Sequence, residues 1–129
     1  MMIQTLEKLS NIHFEHLIWI NELQHIREEV KIYLARIELL ASQFADLKLN
    51  GELKDFKDEF NRILEQITEW QVTIGTHVFH IQELASLDGA LTHMSNSQHE
   101  DIRDKMNFLR RSMITLKESF QYFLIHRIR

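Results

Sequence analysis

Five side chains of this 129-residue sequence carry metal-ligand chemistry at spacings a helix can use: His13, His16, His80, Glu83 and His99. Neutral imidazole and carboxylate are the usual ligands of zinc, iron, manganese, nickel or copper where thiolates are absent. The chain has no cysteine, which excludes disulfides, thiolate zinc sites and thiol nucleophiles. His13 and His16 are three residues apart, as are His80 and Glu83, so each pair lies on nearby faces of one helix. A lone histidine on an apolar face is ordinarily a half-buried residue with a satisfied hydrogen bond. Several at one level are different, because each unmet buried polar group costs ~1–3 kcal/mol. The expectation is one divalent metal ion, zinc or iron, held by His13, His16, His80 and His99 with Glu83 as a further ligand. Glu22, Glu100, Asp101 and Asp104 are the expected acceptors behind the imidazoles. An exchangeable water on the ion would open hydrolytic or oxygen chemistry, but no substrate-binding motif accompanies it and catalysis is left open.

Helices must position these groups. Apolar residues recur every seven positions through most of the chain, in paired columns. The first segment carries Leu9, His16, Leu23, Val30, Ile37, Phe44 beside Ile12, Trp19, Ile26, Tyr33, Leu40, Leu47, with a flanking column that contains His13. Lys8, Glu15, Glu22, Glu29 and Arg36 form its exposed side. The second segment carries Leu53, Phe60, Ile67, Ile74, Ile81 beside Phe56, Ile63, Trp70, His77, Leu84. The third carries His99, Met106, Met113, Phe120 beside Ile102, Leu109, Leu116, Phe123. His16, His77 and His99 thus stand in otherwise apolar columns.

The spacing predicts an all-α fold: a single domain over residues 1–129 with long helices at about 3–48, 52–87 and 97–127. Asn50-Gly51 is the expected first turn. Asp88-Gly89 opens the second connection, and Ser97 to Glu100 forms a capping box. Short connections make an antiparallel up-down-up bundle. A turn centred on Asn50 sets His16 level with Glu83 or Leu84, and a symmetric second loop sets His99 level with Ala85. Gly75, in the run Val72 to Thr76, is read either as room for a bulky neighbour such as Trp19 or as a bend that aims His77 or His80 inward.

Composition bounds the rest. The formal net charge of −4 is a poor match to a nucleic-acid binder. No apolar run approaches the ~20 residues of a membrane span, and MMIQTLEKLS lacks the features of a signal peptide. A cytoplasmic location, with neither nucleic acid nor membrane as partner, is expected. Arg103, Lys105, Arg110, Arg111 and Lys117 on the third helix read as a solvated face or a contact for an acidic partner.

HFEHLIW near the start and HEDIRDKM at the last helix resemble a group of short, uncharacterised bacterial all-helical proteins. The resemblance implies the helical layout and marks these histidine segments as its landmarks; it implies no activity. The ferritin-like pattern is not met, since Glu22-Leu-Gln-His25 has no second copy; of the hemerythrin-like spacings, HxxxE and HxxxxD occur (His25 with Glu29, His99 with Asp104) but HxxxH does not. The alternative to metal binding is an interaction or scaffold bundle with a metal-free histidine network. Ile18, Ile32 and Leu39, beside the main seam, would then meet a partner helix or a second copy in a homodimer.

Overall fold

The computed structural model describes the backbone of residues 2–84 and 91–128 and the side chains of residues 11–78 and 98–128. Three helices account for nearly all of it: α1 (Met2–Gln43), α2 (Leu47–Leu84) and α3 (Leu91–Arg127). The described residues contain no strand. The fold is the all-α bundle that the sevenfold columns predict.

The first turn is not at Asn50-Gly51. α1 ends at Gln43, and α2 begins at Leu47 behind Asp46. The Asp46 carboxylate caps this start, accepting hydrogen bonds from the amides of Lys48 at 2.9 Å and Leu49 at 3.3 Å. An Asp side chain that satisfies otherwise unpaired first-turn amides is a strong helix-start signal. Asn50 lies inside the new helix, and its side-chain amide donates back to the Phe44 carbonyl at 3.2 Å. Burial changes at the same point, since Phe44 and Leu47 leave the core although both continue the apolar columns. Likewise α3 already runs from Leu91, ahead of the Ser97 expected to cap it. The expected Asp88-Gly89 turn lies outside the described residues.

Packing follows the columns. Leu23, Val30 and Ile37 of α1, Leu53, Phe60, Ile67 and Ile74 of α2, and Met106, Leu109 and Phe120 of α3 are among the buried residues of one continuous core. Tyr33 stacks on Phe60 with ring centroids 5.1 Å apart and meets Phe120 edge-on at 5.7 Å. Aromatic pairs at such separations contribute roughly 0.5–1.5 kcal/mol beyond area burial. The pairs Tyr33–Phe60 and His16–His77 show that α1 and α2 run antiparallel. Phe56–Phe120 and His77–His99 show the same for α2 and α3.

α1 and α3 are therefore parallel, and a ladder of ion pairs joins them. Glu15 pairs with Arg103, Glu22 with Arg110 and Glu29 with Lys117, each pair 88 residues apart in sequence. The glutamate column read as an exposed face is thus half-buried against α3. The acidic partner of Arg103, Arg110 and Lys117 is the chain's own first helix.

Gly75 is an exposed residue inside an unbroken α-helix, and a Cβ placed there would meet nothing within 4 Å. It makes no room for Trp19, and it interrupts no helical turn.

Candidate histidine metal centre

Near one end of the core, each helix contributes one buried histidine. His16 of α1 is 2 % exposed, and His77 of α2 and His99 of α3 are 4 % exposed. Their ring centroids are 5.0 Å apart for His16–His77, 5.2 Å for His16–His99 and 5.7 Å for His77–His99. One ligand nitrogen from each ring lies within 4.8 Å of the others. Trp19 covers the His99 ring at 4.6 Å and Leu23 begins the apolar core below.

Hydrogen bonds decide which nitrogens carry lone pairs. Glu15 Oε1 lies 3.0 Å from His99 Nε2. A carboxylate only accepts, so Nε2 carries the proton and Nδ1 the lone pair. His99 Nδ1 is buried and has no hydrogen-bond partner among the described residues. Gln98 Oε1, an amide oxygen, accepts from His77 Nδ1 at 3.1 Å. His16 Nε2 is buried without a hydrogen-bond partner among the described residues.

The electrostatics favour neutral rings at His16. Burial, helped by the nearby His77, His99 and His13 rings, pushes His16 down from 6.5 to about 4 against the opposing pull of Glu15. It is uncharged at neutral pH, the state a metal ligand requires. Burial alone would raise the Glu15 carboxyl. Hydrogen bonds from Arg103 and His99 outweigh it and hold Glu15 below its ordinary value.

Three imidazoles converging from three helices match what a transition-metal ion takes in a thiol-free site. Zinc–nitrogen bonds of about 2.0–2.1 Å set the nitrogens of a tetrahedral site roughly 3.4 Å apart. From a separation within 4.8 Å, closing on an ion therefore needs movements of no more than about 1.4 Å. A groove of about 450 Å³ lined by Thr73, Thr76, Gln98, Asp101 and Lys105 opens beside His77. A larger one, about 750 Å³, lies further along α2 and α3 around Ile63, Phe108 and Leu116 and is lined by no histidine.

Of the residues expected from sequence, His16 and His99 come together here. His13 is exposed, as are Ile20 and Ala41 at sevenfold spacing from it, whereas Leu34 of the same column is half-buried against the core. The side chains of His80 and Glu83 lie outside the described residues. His77, which the spacing placed in the apolar seam but not among the ligands, is the third member of the group. The acceptor behind His99 is Glu15, and Glu22 is engaged with Arg110 instead. Periodicity contained the signal for His77, since it occupies the same kind of column as His16 and His99. Compared with known protein families, characterised proteins and solved structures, the chain matches none.

Proposed function

We propose that this protein is a metal-binding helical bundle in which His16, His77 and His99 hold one divalent transition-metal ion, zinc or iron. One observation carries the reading: three sequence-distant helices each bring a buried histidine to one point, with donor nitrogens within 4.8 Å. His16 Nε2 and His99 Nδ1, which have no hydrogen-bond partner among the described residues, support it, because buried polar atoms ordinarily find partners and an ion would supply one. His80 and Glu83, three and six residues beyond His77, are candidates for the remaining coordination positions alongside water. His13, one turn before His16, is a candidate only if its exposed ring turns inward.

Elemental analysis of protein purified without chelator tests the reading. About one zinc or iron per chain is expected, and replacement of His16, His77 or His99 by alanine should remove it. Fewer than about 0.2 ions per wild-type chain would overturn it, since an ion that cross-links three helices should survive purification.

A second reading has its own observation. Ile18, Ile32 and Leu39 are 46 %, 56 % and 58 % exposed and lie at multiples of seven on one face of α1. Such a face suits a partner helix or a second copy of the chain. Sedimentation over a range of concentrations separates a monomeric metal protein from a self-associating scaffold.

A further inference from the structure

The three rungs joining α1 and α3 repeat with the same 88-residue offset, yet they are not equivalent. In the middle rung, both Glu22 oxygens are taken by Arg110, and no histidine among the described residues is involved. In the third, Glu29 meets only the ammonium of Lys117 among the described residues. In the first, Glu15 Oε1 accepts from Arg103 Nη2 at 2.7 Å and also lies 3.0 Å from His99 Nε2. Its other oxygen lies 3.3 Å from Arg103 Nε, so the guanidinium grips the carboxylate on both sides.

We propose that Glu15 and Arg103 are positioning residues of the histidine centre, with Glu15 as the outer-sphere carboxylate of His99 and Arg103 as the clamp that holds it. The inference rests on the metal-binding reading and adds to it the part of the chain that sets ligand geometry. The carboxylate fixes the proton of His99 on Nε2 and so leaves the lone pair on Nδ1, which is buried without a hydrogen-bond partner among the described residues. It also makes the imidazole a stronger donor to a cation, as carboxylates behind metal-bound histidines do. Trp19 against the ring face and the hydrogen bond at its edge together leave His99 little freedom to turn. A carboxylate on a flexible side chain would hold the ring poorly. The two-point grip of Arg103, which is charged at all relevant pH, removes that freedom.

The middle rung supplies the control. Glu15→Gln and Glu22→Gln each remove one carboxylate from the same ladder, but only the first touches a histidine. Zinc and cobalt(II) affinities of wild type, Glu15→Gln, Glu22→Gln and Arg103→Met would be measured by competition with a chelating dye. Glu15→Gln is expected to weaken binding about 10–100-fold, Arg103→Met by a smaller factor, and Glu22→Gln by less than about threefold. Nitrogen-15 NMR of the metal-free protein adds a readout that needs no ion. The His99 Nε2–H proton should be visible and shifted downfield in wild type and Glu22→Gln, and should move upfield in Glu15→Gln, whose neutral amide oxygen is a weaker acceptor. If wild type binds neither metal, the metal-binding reading itself fails, and this inference with it. If wild type binds but Glu15→Gln and Glu22→Gln behave alike, this inference alone is overturned.

Discussion

Replacing His16 by leucine should stabilise the metal-free protein while abolishing metal binding. His16 is 2 % exposed, stands in one column with Leu9 and Leu23, and leaves Nε2 without a hydrogen-bond partner among the described residues. Burying such an atom costs ~1–3 kcal/mol, and a leucine of similar volume removes that cost at a packing penalty of about 1 kcal/mol or less. The net gain at pH 8 is about 1–2 kcal/mol, roughly 3–8 °C in Tm for a chain of this size. Acid should widen the gap. His16 is held near 4 in the folded chain against 6.5 in the unfolded one, so below pH 6.5 the unfolded state takes up a proton that the folded state refuses. Stability contributed by the neutral ring is complete above pH 6.5 and is lost as pH falls toward 4. At about 1.36 kcal/mol per pH unit, wild type loses about 2 kcal/mol from this group by pH 5, a loss His16→Leu avoids. Urea unfolding followed by circular dichroism, with chelator present, at pH 8 and pH 5 reads both effects. A variant less stable than wild type at both pH values would refute the reasoning. So would a gap that stays constant on acidification.

Three further outcomes can be checked by similar means. Gly75→Ala should raise stability by about 0.5–1 kcal/mol, because the added methyl meets nothing within 4 Å and alanine loses less backbone entropy in a helix; thermal unfolding measures it. Asp46→Ala should cost about 1 kcal/mol through loss of the α2 cap, read in urea unfolding. Zinc at about 100 times its dissociation constant should stabilise wild type by about 2.7 kcal/mol, an effect that EDTA reverses and that His77→Leu and His16→Leu lack.

The fold was legible because helical columns need no knowledge of turns. Every residue of the α3 seam from His99 to Phe123 is buried, as its sevenfold spacing predicts. The position of the first turn was harder to read. Two signals stand close together: Asp46, which starts a helix, and Asn50-Gly51, which more often ends one. Asn50 here serves the reverse purpose, tying the start of α2 back to the Phe44 carbonyl. In an antiparallel pair, an error in the turn position doubles in the register, because both arms move. A turn at Asn50 sets His16 against Glu83 or Leu84; with the turn at residues 44–46, His16 meets His77. Glu15 has a different cause: it stands in the column that reads as the exposed side of α1, and α3 packs along the edge of that column. Electrostatic pairing at a constant offset was present in the sequence, with Glu15, Glu22, Glu29 matching Arg103, Arg110, Lys117 in spacing.

The evenness of that ladder leaves it degenerate. Sliding α3 by seven residues against α1 would set Glu15 opposite Arg110 and Glu22 opposite Lys117, keeping two of the three rungs. Ion pairing alone therefore discriminates weakly between the native alignment and a slipped one. The histidines break the tie, since a slip of seven residues carries His99 about 10.5 Å away from His16. An ion bound by all three rings would select one alignment from a periodic set, serving as a pin in a rack whose teeth are otherwise alike.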